Sequence, residues 1–356
     1  MKKELLVATA LATTMGVAGV AEAVTATYSG HLRNGVKGTD LDSSSDETYG
    51  ASQQAGFAVS VSETTDSGIK ISGSFDLSNE SDGSTDPSGL TLTFTDGSKL
   101  DLIEAGTAYG SKLASVPGAT GELGVTKGTA NSAPSGLTYA STSDSVGFEW
   151  HSAADFGGVE GLKAGISAAF GDDGDATTSS TAENAYSIGL SYVTTAGDTT
   201  VTIGGGYMNA DDSNGSTVND KANSSAISVT AATGNLTVGA GFAGGDHTRA
   251  NANGTATGSA TEIDDVSITT FGAKYVSGDI TFAVGRVSGD SDDKAINTNT
   301  DSANDSYEST SASISYAVVS GVTAIIGFSD STSTDEGTNT AAKSGSTWYV
   351  GANVSF

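Results

Sequence analysis

The sequence predicts an all-β fold, a transmembrane antiparallel β-barrel of sixteen strands, and three observations carry that prediction. Residues 347–356 alternate strictly, with Trp348, Val350, Ala352, Val354 and Phe356 on one face and Tyr349, Gly351, Asn353 and Ser355 on the other. Segments with the same period of two recur along the chain, and their second face is Ser, Thr and Gly almost throughout, as in Lys70, Ser72, Ser74 and Asp76. The connections between them alternate between short turns and long polar loops. A wall with hydrocarbon outside and water inside needs this pattern, whereas a soluble sandwich buries one face and has no reason to line the other so uniformly with small polar residues. A cylinder of this kind encloses a pore.

The elements follow in chain order. Met1, Lys2 and Lys3 make a basic start, residues 5–20 an apolar and small run, and Ala21-Glu22-Ala23 a small-x-small cleavage site. Residues 1–23 therefore read as a secretory signal peptide, leaving residues 24–356 as a single barrel domain. The apolar run is too diluted by Thr, Gly and Ala to cross a membrane as a helix, which takes about 20 strongly apolar residues. The first strand spans residues 25–33, with Ala26, Tyr28, Gly30 and Leu32 outward and His31 and Arg33 toward the lumen. The second points Phe57, Val59 and Val61 outward, and the third Ile69, Ile71, Phe75 and Leu77. Leu90, Leu92 and Phe94 mark the fourth, Leu100 and Leu102 the fifth, and Val146, Phe148 and Trp150 the sixth. The scheme repeats through Ile166, Ile188, Ile203, Ile227, Val238, Phe271, Phe282, Ile314 and Ile326 to the terminal strand. Each segment matches the roughly 9 to 11 residues of a tilted membrane-crossing strand. An even number closes the sheet and leaves no unpaired edge.

Short turns rich in Gly, Asn and Asp occur at residues 64–68, 95–98, 196–198, 234–235, 276–279 and 320–321. Long polar loops are expected at 171–184, 211–223, 246–265 and 289–307. One connection differs. Residues 105–144 hold small and apolar residues, two of the chain's three prolines and little net charge, and a long connection inside a compact domain is usually functional.

Composition narrows the function. With no Cys among 356 residues there is no disulfide framework, thiolate metal site or cysteine nucleophile. A net charge of -27 argues against nucleic acid as a partner and against an anionic lipid surface. Asp172-Asp173-Gly174-Asp175 and Asp290-Ser291-Asp292-Asp293 invite a structural calcium reading, because hard cations favour clustered carboxylates, but neither fits a twelve-residue loop closed by a bidentate Glu. His31, His151 and His247 lie in different segments without metal-ligand spacing, and there is no Gly-x-Ser-x-Gly elbow between strand and helix. The chain therefore reads as a protein without catalytic step or cofactor, an outer-membrane lipase or protease being the weaker alternative. Lys70, Lys99, Lys163 and Lys274 fall beside short turns, while the acids gather in the long loops. An acidic mouth would bias permeation weakly toward cations; the same acids would also serve simply to hydrate the surface.

The segments Thr64-Thr65-Asp66-Ser67-Gly68-Ile69-Lys70-Ile71-Ser72-Gly73-Ser74-Phe75, Asp96-Gly97-Ser98-Lys99-Leu100-Asp101-Leu102 and Ala105-Gly106-Thr107-Ala108-Tyr109-Gly110 resemble the general-diffusion porins of alphaproteobacteria. Ser29-Gly30-His31-Leu32-Arg33-Asn34-Gly35-Val36 resembles their first strand. The resemblance is close over the first third of the chain and one of pattern thereafter, the terminal strand excepted. It implies a homotrimer of sixteen-stranded barrels in the outer membrane of a Gram-negative bacterium, surrounded by lipid and passing ions and small hydrophilic solutes. It also implies that the third external loop folds inward; residues 105–144 occupy that position, with Lys112, Glu122 and Lys127 as charged residues and Arg33 as the matching wall residue. These four are the constriction candidates, and Lys70, Asp76, Asp101 and Glu149 the pore-wall candidates. Other lumen-facing bases are few in this chain, so a strong transverse field is not expected. The competing class is a secreted acidic surface protein of the S-layer or adhesin kind, which would share the composition but would not need an aromatic-ended strand or a Ser/Thr-lined second face.

Overall fold

A computed structural model describes residues 24–42, 48–78, 85–87, 89–102, 107–119, 145–172, 183–212, 220–249, 261–295, 301–334 and 343–356. Seventeen strand segments form one closed antiparallel sheet. They are β1 (Thr25–Leu41), β2 (Thr48–Thr64), β3 (Lys70–Ser78), β4 (Thr85–Pro87), β5 (Leu90–Thr93), β6 (Lys99–Leu102), β7 (Ser145–His151), β8 (Leu162–Asp172) and β9 (Glu183–Ala196). The ring continues with β10 (Thr199–Asp212), β11 (Asp220–Thr233), β12 (Leu236–Arg249), β13 (Thr261–Ser277), β14 (Ile280–Ala295), β15 (Asp301–Val319), β16 (Val322–Thr334) and β17 (Lys343–Ser355). β4 and β5 both pair with β3 and lie end to end, so the seventeen segments make sixteen strands. The break falls at Pro87, which has no N–H to give to a ladder.

Closure is made by β1 and β17, whose register runs from His31 opposite Ser355 to Leu41 opposite Gly345. Two further backbone bonds finish the seam: Gly30 N–H donates to Phe356 O at 2.9 Å and Phe356 N–H to Gly30 O at 3.0 Å. The Phe356 ring covers Gly30, where an added Cβ would lie 2.5 Å from its Cζ.

The two walls are sorted as alternation requires. Large apolar side chains stand outward and exposed on strand after strand; Ile188 keeps 59 % of its surface accessible, Phe271 55 % and Ile326 55 %. A soluble protein does not leave such a belt bare, and hydrocarbon is the solvent that suits it. Aromatic pairs lie on this surface, Tyr28 stacked on Phe57 at 6.1 Å and Tyr49 against Trp348 at 6.0 Å. Inward positions are small and polar, and many are buried, among them Ser167, Ser187, Ser228, Ser313 and Ser329.

The short turns are where the residues place them. Each ends one strand and starts the next within a few residues, and Gly97 (φ +87°) and Gly321 (φ +77°) take backbone angles closed to most side chains. In the exposed turn at Gly97, Ser98 donates from its backbone N–H (2.9 Å) and its hydroxyl (2.7 Å) to Asp96 Oδ1. Those bonds hold the Asp96 carboxyl below the usual carboxylate range.

Strand length departs from expectation at the opposite end of the barrel. β1 continues to Leu41 instead of stopping at Arg33, and β15 reaches 19 residues. Backbone pairing does not need apolar side chains once both strands are in register, so the ladder continues through polar sequence after the hydrophobic alternation has ended. Asp211 and Asp212, Glu262, Asp264 and Asp265, and Asp290 to Asp293, expected in loops, therefore lie on strands. The Asp290 stretch is extended ladder, and Asp290 Oδ1 accepts from Ser267 Oγ across it at 2.7 Å. Irregularities mark these extensions: Asp265 adopts φ +52° at a bulge, and its N–H donates to Asp246 Oδ1 at 3.0 Å. Phe94, expected on a strand, sits in the turn with its N–H donating to Ser98 O.

Candidate functional site

Residues 107–119 leave the strand layer and run along the inner wall of the barrel. They begin with a one-turn helix, α1 (Ala108–Ser111), whose N-cap Thr107 accepts the Gly110 N–H on its hydroxyl. From there the chain crosses β8 to β14, and on nearly every strand the inward position beneath it is glycine. A Cβ at Gly189 would lie 2.0 Å from the Ala108 carbonyl oxygen, at Gly204 2.3 Å from Lys112 O, and at Gly272 1.6 Å from Pro117 O. Gly206 faces the Tyr109 backbone at 2.7 Å, Gly239 the Pro117 ring at 2.9 Å and Gly285 the Gly118 Cα at 3.1 Å. Apart from the Pro117 ring over Gly239, these are contacts of backbone on backbone, which no side chain could share.

Serines between the glycines supply the polar partners. Ser167 Oγ accepts from the Ala108 N–H at 3.2 Å, Ser187 Oγ from the Tyr109 N–H at 3.0 Å and Ser228 Oγ from the Ala114 N–H at 2.6 Å. Ser224 donates to the Tyr109 hydroxyl at 2.8 Å. A segment without strand neighbours thus finds partners for its backbone donors, as buried N–H groups must. Burial raises the Tyr109 phenol above its ordinary range, and the Ser224 bond opposes that rise.

At the start of this path lies the most concentrated polar cluster among the described residues. Lys112, only 6 % exposed, donates from Nζ to His151 Nδ1 at 2.6 Å and to Ser111 Oγ at 3.1 Å. Ser111 Oγ in turn donates to Glu149 Oε1, itself buried. With Nδ1 accepting, His151 Nε2 carries the proton and donates to Asp101 Oδ2 at 2.8 Å; Thr91 Oγ1 donates to the other oxygen of Asp101 at 2.5 Å. Burial pushes the Lys112 amine below its ordinary range and Lys163 adds to this, while Glu149 and Asp101 pull it back. Asp101, Glu149 and His151 bring donor atoms within 4.8 Å of one another, a spacing that suits a metal ion. The ammonium of Lys112 stands beside them, 2.6 Å from His151 Nδ1.

Across the barrel the wall is different. Seven strands separate β1 from β10 on either side, so β1 faces the seat of residues 107–119. β1 carries no register shift against β2 or β17, which puts His31, Arg33 and Lys37 on one lumen-facing stripe. Arg33 Nη1 donates to Gln54 Oε1 on β2 at 3.2 Å. Beside them Tyr349 of β17, fully buried, lies over Gly35 and Gly351 with its hydroxyl donating to Asn34 O at 3.3 Å.

The residues picked out in the sequence therefore divide. Lys112, Asp101 and Glu149 are brought together on the wall beside residues 107–119, and Lys112 is enclosed rather than presented to the water path. Arg33 stands on the facing wall. Lys70 and Asp76 are exposed on β3 at lumen-facing positions, apart from both groups. Glu122 and Lys127 lie outside the described residues. Lys37 escaped notice because the first strand was ended at Arg33; counting two more pairs along β1 finds it. Arg286, on outward parity, forms an ion pair of 2.8 Å with Glu308 on the outer surface, both about half exposed.

Comparison with known proteins agrees with this architecture. A family model described as Gram-negative porin matches residues 8–324. No curated protein matches the sequence. Among solved structures, OmpF of Salmonella typhi in complex with daunomycin is similar at a TM-score of 0.61 and 15% identity, over 93% of this chain and 98% of that one. The trimer form of OmpT, an outer membrane protein of Vibrio cholerae, gives 0.57 and 16% over 94% and 100%. The anion-selective porin of Comamonas acidovorans gives 0.57 and 13% over 94% and 100%.

Proposed function

We propose, from the premise that this chain belongs to the Gram-negative porin family, a division of labour between the two walls of its lumen. The protein is an outer-membrane channel for passive diffusion, and the observation that carries this beside the family match is the closed sheet of sixteen strands with an exposed apolar outer belt and a small polar inner wall. In our reading residues 105–144 form the inward third loop and narrow the path. Its seated portion, residues 107–119, supplies shape, whereas Arg33 and Lys37 on the facing wall supply charge. Glu122 and Lys127 are the other charged residues this reading assigns to the loop. Lys112 is withdrawn from that role, because its ammonium is already matched by Glu149 and Asp101.

Further features belong to the same reading. Residues 1–23 are a cleaved export signal and 24–356 the mature barrel. The chain is of the alphaproteobacterial general-diffusion type by the resemblance of its first third, and the trimeric OmpT structure of the same fold supports a homotrimer. The acids on the extended strand ends, at the end opposite the short turns, give a weak cation preference to ions entering there. A barrel of this fold is described as anion-selective, so the fold leaves the sign of selectivity to such side chains. No cofactor is part of this reading, and bound calcium at the acidic rim is a minor variant of it that chelator-dependent melting would reveal.

The test is reconstitution of the purified protein in planar bilayers. Stepwise conductance increases, with a size cut-off in a series of neutral sugars and a reversal potential favouring cations in a salt gradient, are expected. A protein that inserts and gives no steps would overturn the channel; anion preference would overturn the selectivity.

A further inference from the structure

The buried lysine at the start of the inner segment has a consequence beyond charge compensation. Five features converge on it. Lys112 is almost fully enclosed although it lies in a connection between strands, on a wall that faces water. Its ammonium reaches back to β7 and, through His151, to β6, while its own carbonyl oxygen rests on Gly204 of β10. Its side chain also fills the space above Gly165 and Gly189, where added Cβ atoms would lie 2.9 Å from Cε and 2.8 Å from Cγ. Downstream the path is held mainly by shape and by single neutral hydrogen bonds such as Ala114 N–H to Ser228 Oγ. Among the described bonds of this segment, only those around Ser111 and Lys112 involve ionised groups, and charge-assisted bonds are roughly twice as strong as neutral ones.

We propose that Lys112 is a positioning residue of the channel: its ammonium, seated among Glu149, His151 and Asp101, pins residues 107–119 against the glycine-lined wall and thereby fixes the free width of the lumen. This rests on the channel reading and adds to it a single anchor for the inner segment. Glu149 and Asp101 hold the charge, His151 relays the bond between Lys112 and Asp101, and the glycines of β8 to β14 accept the segment so positioned. Lys112 acts through the backbone it holds and does not itself face the passing solute.

Width and charge have separate readouts. Purified wild type, Lys112→Met, Glu149→Gln and Lys112→Arg would be compared in planar bilayers, with folding checked by heat-modifiable migration. The wild type gives the baseline, and if it makes no pores the channel reading fails and this inference with it. Loss of the anchor in Lys112→Met, and its weakening in the nearly isosteric Glu149→Gln, should raise single-channel conductance by about 1.5-fold or more as the lumen widens, and admit larger sugars. Lys112→Arg, which keeps the charge, should stay near wild type. Folded Met and Gln variants with unchanged conductance and sugar cut-off would overturn the proposal. So would a change in reversal potential alone, which would make Lys112 a field charge rather than an anchor. If the Met variant does not fold, the Gln variant decides by the same two measurements.

Discussion

The wall formed by β8 to β14 and the wall formed by β1 and β17 face the same water and solve different problems. On the first, glycines stand inward beneath residues 107–119, and the atoms that would clash with an added Cβ are mostly backbone: Ala108 O, Lys112 O, Pro117 O. On the second, Gly35 and Gly351 are also tight, but what presses on them is the Tyr349 ring, with its hydroxyl 2.3 Å from a Cβ at Gly35. Backbone held at several points cannot swing aside, whereas a ring can change rotamer. The first wall is therefore a mould for a piece of main chain and the second a platform for side chains, and the lumen between them is narrowed from one side and charged from the other.

The most direct way to break this contrast is to fill the mould. Gly272→Val and Gly189→Leu should each cost about 1–3 kcal/mol of stability by overpacking, or dislodge the segment and raise conductance. Gly35→Val, answered by rotation of Tyr349, should cost less. Equal midpoints in urea-unfolding titrations for variants of the two walls would remove the distinction. Charge is the next lever. Replacing Arg33 and Lys37 together by Gln should shift the reversal potential toward cations with the fold intact, and an unmoved potential would mean that the platform carries no field.

His151 gives a smaller test on the mould side: His151→Leu loses both the bond from Lys112 and the one to Asp101 and should raise conductance slightly, whereas His151→Gln, which can still accept and donate, should stay near wild type. Smallest of all, Tyr349→Phe loses one long hydrogen bond to Asn34 O, worth about 0.5 kcal/mol by thermal unfolding, at the low end for a neutral pair.

Much of the fold was legible because alternation and turn chemistry are local. Ile188 and Ser187 announce their faces by parity, and Gly97 and Gly321 announce their turns. Strand ends were not legible, since the ladder of β1 runs on through Lys37 to Leu41 without an apolar residue at every second place to mark it. For the site, parity placed Asp101, Glu149 and His151 inward but could not join residues from different strands. The path of residues 107–119 left a trace that went unread: Gly165, Gly189, Gly204, Gly206, Gly239, Gly272 and Gly285 are all inward, on strands whose outward faces are rich in bulky residues. A run of missing side chains on one face of successive strands is the imprint of whatever lies on them.

That imprint also orders the assembly of the molecule in time. Residues 107–119 precede every strand on which they rest, and their partners extend as far as Gly285. The resting surface does not exist until β8 to β14 have paired, and contacts so distant along the chain form late because the intervening polypeptide must be organised first. The interior is thus dressed only once its enclosure is raised.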